Sequence, residues 1–453
     1  MKIEIHPKAI ENYDQKATKL IEQLRFKIQP KRTVKVENPN VHVSGHFDNT
    51  NMIGELKPFW RDSSGNMAAR GFYVRGKLIG LFDDDYKNLT QIAEDIQKKS
   101  NPNNIVGVEL ISELIFEWIK QKYKGVEMPP MSEFVLSECE KQIDDVEIWI
   151  PIANLHLEAP FKLGNVTFRV ITKNFMDEYE TAIKSQLTDP EGIKAMESMF
   201  ERKRSEIQNR AVAIVKVEAE KDHAYDIANE ETERAMSILR FFSLTNLYPT
   251  QTCYSAPIEK QHLDGEVFFV IKDGKVLHDV SGTTDKSFKP WVLRKKDLIE
   301  FKKTGLDTLS KLLVTDTLTD FQQKLLEALF LYSKASLAKE ISDRLIYTLV
   351  ALETVFVKNQ TEPLQDNISL RMAFMHPVGI EQRKEIITNI KDTYALRSSF
   401  IHHGKKVDIK DEQILKKFMW NTWLSIQGLI PLAAKGITKE QFFEELENRR
   451  IGG

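Results

Sequence analysis

From residue 292 to the end, apolar residues recur at helical spacing in one segment after another. A chain patterned this way is committed to burying its side chains between packed helices. Ile341, Leu345, Leu349, Leu352 and Phe356 mark the inward face of a helix expected over about 339–357. Leu325, Leu326, Leu329 and Phe330 mark the helix before it, with Asp320 placed to cap its start. A third helix covers Ile368–Met375. Pro377 and Gly379 then break the chain, a fourth helix runs from about Gln382 to His403, and Gly404 stops it. A fifth spans Asp411 to about Leu429 with Ile414, Leu415, Phe418, Trp423 and Ile426 inward. Thr438-Lys-Glu-Gln441 reads as a capping box that opens a last short helix.

The rest of the chain has a different pattern. Strands and turns dominate to about residue 85. Val34-Lys-Val-Glu and Val41-His-Val alternate around Asn-Pro-Asn, and Gly71 to Phe82 reads as a hairpin turning near Arg75-Gly76-Lys77. Helices are expected over Leu89–Lys99 and Val108–Lys122, and Pro129-Pro130 closes that region. Next come strands at Val146–Pro151 and Val166–Ile171, joined through Leu163-Gly164-Asn165, and a long helical stretch from about Asp189 to Ser243. Val267 to Leu277 reads as a hairpin in which Asp273-Gly274 suits a tight type I′ turn, and Trp291 ends this part. The pattern predicts an α+β protein in three parts: a mixed α/β unit over 1–145, an α+β unit with hairpins and a long helix over 146–291, and an all-α helical bundle over 292–453.

At 453 residues the chain is too long for one ordinary core, and its composition is that of a globular protein. Lys and Arg number 64 against 66 Asp and Glu, for a net charge of −2, so any surface for nucleic acid must be a local patch. Cys139 and Cys253 lie far apart without Cys-x-x-Cys spacing, which predicts reduced thiols. No apolar run reaches the ~18 residues of a transmembrane helix, and the charged opening Met-Lys-Ile-Glu-Ile-His is unlike a signal peptide, so a cytoplasmic protein with no membrane partner is expected. The chain contains no GxxxxGK[ST], no GxGxxG after a strand, no GxSxG and no HExxH, which leaves ATP-driven, dinucleotide, esterase and zincin chemistries without support. Asp83-Asp84-Asp85 reads as a helix start rather than a metal site, and His42 and His46 lack identifiable partners. No metal and no cofactor are expected.

The chemistry concentrates in Tyr394-Ala-Leu-Arg397-Ser398-Ser-Phe-Ile-His402-His403-Gly404. Cleaving RNA requires removing the 2′-OH proton, stabilising extra charge on the phosphate and protonating the 5′-oxygen that leaves. Histidine suits the first or last task. Arginine suits the middle one, because its planar fork can donate two hydrogen bonds to phosphate oxygens. Ser398 is a candidate to hydrogen-bond the phosphate or the histidine, and Lys405 and Lys406 to steer the RNA backbone. On an ideal helix, His402 lies ~140° round from Arg397 and His403 ~120° round on the other side, so one chain makes a poor complete site. Two copies across a two-fold axis would bring two arginines and two histidines together, and an isologous dimer is the commonest oligomer.

These residues resemble the HEPN superfamily, in particular its ApeA-like branch. The hallmark there is an arginine, usually a polar residue next, and a histidine four to six positions beyond the arginine. Arg397 to His402 fits with four residues between and Arg397 to His403 with five. The ending His403-Gly404 is similar to the ending in that branch. Leu349-Val-Ala-Leu-Glu353-Thr resembles the family's upstream helix with its acidic residue, and Ile368-Ser-Leu-Arg371-Met-Ala the helix between. The resemblance covers about 335–430. It implies a metal-independent endoribonuclease with a composite site in a homodimer cleft, an antiphage or abortive-infection setting, and tRNA or other host RNA as substrate. The units over 1–290 would then sense a phage-derived trigger, restrain the nuclease or select its RNA.

Other readings stay open. Arg397 can pair with a helix-face carboxylate such as Asp392 or Glu353, leaving the histidines as polar residues at a helix end. Glu353 can orient a histidine or pair with Arg397, and Arg371 can belong to an intradomain ion pair. The basic run from Lys286 to Lys303 reads as a solvated face more readily than as an RNA strip. The rival from another class is a non-catalytic HEPN module for dimerisation or docking, whose N-terminal part recognises a phage or host partner. A third reading is a partner of a separate nucleotidyltransferase.

Overall fold

A computed structural model describes residues 3–26, 59–61, 67–75, 77–100, 104–185, 190–257, 265–272, 275–283, 290–359 and 361–452. The chain divides into two units, Met1–Val146 with Val217–Asp226, and Glu147–Lys216 with Ile227–Gly453. The strands expected around Val34 and Val41, with His42 and His46, lie outside the described residues. The architecture is α+β, with most strands in the N-terminal half and helices in the C-terminal half.

The first unit begins with α1 (Pro7–Glu22), β1 (Arg25–Phe26), β2 (Phe59–Arg61), β3 (Met67–Val74), β4 (Lys77–Phe82), α2 (Asp84–Lys99), α3 (Val108–Tyr123) and α4 (Met131–Glu140). Its antiparallel sheet has the order β1-β4-β3-β2. The expected hairpin is β3–β4, and Arg75 enters its turn with φ of 48°. Leu78 and Ile79 are buried on opposite faces of β4, which therefore runs through the interior rather than along a surface. Phe72, Leu81, Leu89, Ile92, Ile115 and Trp118 share one core. Asp83 stands at the N-cap of α2 but makes no side-chain cap bond. Asp84 pairs with Lys87 and Asp85 with Arg25, so this acidic triplet starts the helix through charge rather than through a capping hydrogen bond.

The chain continues through β5 (Ile143–Ala153), β6 (Leu155–Leu157), β7 (Phe161–Leu163), β8 (Val166–Val170), α5 (Lys173–Lys184), α6 (Pro190–Ile207), β9 (Ala211–Glu220) and α7 (Lys221–Phe241). Then follow β10 (Ala256–Pro257), β11 (Gly265–Lys272), β12 (Lys275–Thr283) and β13 (Trp291–Leu293). The main sheet has the order β10-β5-β9-β8-β7, β11 and β12 form the expected hairpin, and β13 pairs parallel with β6.

Two expectations are corrected here. The stretch from Asp189 to Ser243 is not one helix, because β9 divides it into α6 and α7. Its first five residues, Ala211-Val-Ala-Ile-Val, are all buried, so a fully interior strand shows no alternation to separate it from a buried helix. Asn209, with φ of 65°, makes the break, and the Glu220 carboxylate accepts the Asp222 and His223 N–H groups to open α7. The Leu163-Gly164-Asn165 turn joins β7 to β8 rather than β5 to β8.

The helical part comprises α8 (Lys295–Lys303), α9 (Leu306–Leu313), α10 (Asp320–Leu337), α11 (Ile341–Phe356), α12 (Leu364–Met375), α13 (Ile380–His403), α14 (Glu412–Ala434) and α15 (Lys439–Ile451). Thr319, not Asp320, caps α10, in a capping box with Gln322. Asp320 accepts the Lys439 N–H instead, at the start of α15. The Thr438–Gln441 box forms as expected. α14 runs past Leu429 and through Pro431, close to its C-terminal end. Trp423 on α14 stacks on Phe241 and donates its indole N–H to the Phe241 carbonyl at 2.9 Å. Among the described residues no helix is long and apolar enough to cross a membrane.

The segment between α7 and β10 is held from inside by two fully buried arginines. Arg240 donates to Ser333 Oγ, Ser237 Oγ, the Ser255 carbonyl and Glu233 Oε1. Arg344 on α11 donates to the Ala338, Tyr248 and Gln251 carbonyls and to Thr252 Oγ1. Burial pulls the Arg344 guanidinium down to about 10, which leaves it charged at neutral pH.

His376, buried after α12, contacts Ser425 Oγ at 2.9 Å and hydrogen-bonds the Asn421 backbone. Burial holds its pKa below the ordinary 6.5, against that backbone bond. In the unfolded chain the imidazole titrates near 6.5, so the unfolded state takes up the proton first as pH falls. The stabilising effect is complete above about pH 6.5 and is lost as pH falls from there toward the folded pKa. Urea unfolding of His376→Gln is expected to depend less on pH between 7 and 5.5 than that of the parent chain. Parallel pH profiles would show that His376 does not titrate on unfolding.

Candidate functional site

α13 is helical without interruption over its 24 residues, through Arg397 and both histidines. Gly404 ends it with φ of 63°, a left-handed conformation that glycine adopts without penalty, and its N–H closes on the Phe400 carbonyl at 3.0 Å. The spacing argument therefore applies in full, and one chain does not bring Arg397 and His402 or His403 to one face.

Arg397 turns toward α11. Its Nη1 donates to Glu353 Oε1 at 2.9 Å, and the Tyr394 hydroxyl donates to that same oxygen, also at 2.9 Å. Of the carboxylate partners weighed for Arg397, Glu353 is the one it takes, while Asp392 stays exposed. The Arg397 and Glu353 side chains are 28% and 18% exposed, so the pair is only partly withdrawn from water. Burial, and then the Glu353 charge, push the Tyr394 phenol well above its ordinary value, so it remains a donor at any physiological pH. The guanidinium also lies 5.9 Å from the centre of the Tyr394 ring. Among the described residues the ion pair engages Nη1 alone, and Arg397 makes no further hydrogen bond.

Ser398, His402, His403, Lys405 and Lys406 are all exposed. Lys406 lies 3.4 Å from Glu340 at the start of α11, and the Val407 N–H donates to Ser342 Oγ at 3.2 Å. The segment after the motif is thus strapped to the first turn of the helix that holds Glu353 further along. The structure unites Arg397 with Glu353 and leaves the two histidines in solvent at the end of α13.

The other candidates are engaged elsewhere. Arg371 makes a two-pronged pair with Glu362 at 2.6 and 2.8 Å, donates to the Phe356 carbonyl and packs on the Phe443 ring. It fastens the end of α11 and is an intradomain ion pair. In the basic run, Lys286 and Lys289 lie outside the described residues. Arg294 pairs with Asp297, Lys303 with Glu300 and Lys302 with Asp307, a solvated helix surface.

Sequence reasoning assigned no role to Tyr394. Its signal was its place three residues before Arg397, on the same helix face. Comparison of the chain with family models, curated proteins and solved structures returns no match.

Tyr394→Phe removes a buried donor from a charged acceptor and is expected to lower the unfolding free energy by about 1.5–3 kcal/mol. Arg397→Ala is expected to cost less, because water reaches its side of the pair. Urea unfolding of both variants checks the order. A larger loss in Arg397→Ala would mean that the ion pair, not the phenol, holds Glu353.

Proposed function

We propose that this protein is a metal-independent endoribonuclease that acts as a homodimer, with Arg397 binding the scissile phosphate and His402 or His403 moving the proton. The observation that carries the reading is the single-nitrogen pairing of Arg397. Glu353 fixes the guanidinium through Nη1, while Nη2 and Nε keep donors for the two oxygens of a phosphate. The chemistry uses the RNA's own nucleophile. A neutral histidine takes the 2′-OH proton, the 2′-oxygen attacks phosphorus, and the arginine stabilises the extra charge. The 5′-oxygen leaves with a proton from the same histidine of the second copy, which enters the step protonated, and a 2′,3′-cyclic phosphate remains.

The dimer is part of the proposal because of geometry. With Arg397 facing α11 and the histidines at the exposed end of the same straight helix, a second copy is needed to supply the missing group. Lys405, exposed beside the histidines, would meet the RNA backbone. The RNA class, tRNA or other host RNA, and the antiphage setting rest on the resemblance to HEPN proteins. So does the role of the N-terminal units in sensing a phage-derived trigger.

The test is RNA cleavage in EDTA by the full chain, compared with Arg397→Ala, His402→Ala and His403→Ala. Arg397→Ala and one histidine variant are expected to lose at least 100-fold in rate with the fold intact, and the other histidine variant to stay near the parent, which assigns the motif histidine. Cleavage undiminished in every variant would refute the site. An inert parent chain that nonetheless dimerises would favour the HEPN bundle as a docking module.

A further inference from the structure

A cavity of about 530 Å³ opens in the second unit between the segment after α7 and the start of α8. That volume lies in the roughly 300–1,000 Å³ range of small-molecule sites. It has no part in the proposed cleavage. One wall is aromatic: Phe242 and Phe301 stack with ring centres 4.9 Å apart, and Trp291 lines the same space. At the lining, Leu244 and Val292 leave 72% and 54% of their surfaces in water, so apolar area at the cavity remains to be covered.

Another part of the lining is polar and is held firmly. It is the irregular run from Gln251 to Ser255, which uses backbone and hydroxyl groups to satisfy the two buried arginines from behind. Desolvating two guanidiniums is costly, and their oxygen partners are fixed in position as a result. Thr252 Oγ1 accepts from Arg344, so its own proton remains to donate. Stacking rings and a preorganised polar segment line the same cavity, which suits a flat ring with donors and acceptors around its edge.

The charges of the lining limit the choice further. Arg294 spends its Nε on Asp297, and Glu300 is paired with Lys303. The lining therefore carries two carboxylates against one engaged guanidinium, a poor setting for phosphate groups. We infer that this cavity is a binding site for an uncharged purine nucleoside, stacked against Phe242, Phe301 and Trp291 and read along its edge by the 251–255 segment. The inference does not depend on ribonuclease activity, and its test involves no cleavage.

The probe is 2-aminopurine riboside, whose emission falls when its ring stacks on an aromatic side chain, titrated with the full chain. Saturable quenching is expected, reversed by adenosine. Affinity should fall at least tenfold in Phe301→Ala and in Val292→Glu, and stay unchanged in Trp420→Ala, an exposed aromatic outside the cavity. Val292 is exposed, so Val292→Glu keeps the test decisive if Phe301→Ala fails to fold. Absence of saturable quenching, or equal affinity in Val292→Glu, overturns the site. Tighter competition by ATP than by adenosine overturns its preference for an uncharged ligand. Displacement by N-acetyltryptophanamide but not by adenosine would make the occupant an aromatic peptide side chain and refute the nucleoside.

Discussion

Two guanidinium groups buried out of reach of water organise the second unit. A charge there is tolerated only when oxygens surround it, and helices have few to offer because their carbonyls are already bonded. Arg240 and Arg344 therefore recruit the irregular segment between α7 and β10, which is rich in unspent carbonyls and hydroxyls. That requirement draws residues 248–255 into the interior and keeps them there without helix or strand. Arg240 is joined by a carboxylate, Glu233, whereas the hydrogen bonds of Arg344 go only to neutral oxygens. Lysine could not replace Arg344, since a single ammonium cannot reach four acceptors spread across a planar fork.

The helical half was legible because its signals are local. Period, caps and breakers placed α10 to α15 within a few residues, and the capping box at Thr438 was correct to the residue. Where local signals competed, they misled. Asp320 looks like a cap, but Thr319 with Gln322 makes two reciprocal bonds and wins. β9 was missed because its first half is buried on both faces and shows no alternation. Arg344 stands three residues after Ile341 on the apolar side of α11, a visible anomaly, yet three of its four partners lie more than ninety residues away in sequence.

The candidate site was legible in part for the same reason. The Arg397–Glu353 pairing is one of the alternatives the sequence allowed, because both residues lie on strongly patterned helices. Tyr394 was visible but unassigned, since nothing local says that its hydroxyl meets a carboxylate 41 residues away. The cavity beside Phe242 could not be read at all. Its walls combine the irregular run after α7 with residues of β13 and α8, which lie some forty residues away in sequence, so no local period announces it.

α11 carries more than its packing face. Its first turn receives the strap behind His403 through Glu340 and Ser342, and one residue pair further on Arg344 grips the inner loop. Three turns along, Glu353 holds Arg397. A straight helix transmits displacement along its axis with little loss, so these attachments behave as loads on one beam. Tension on the loop and slack in the strap are then two readings of the same rigid body, and the C-terminal end of α13 cannot relax without α11 registering it.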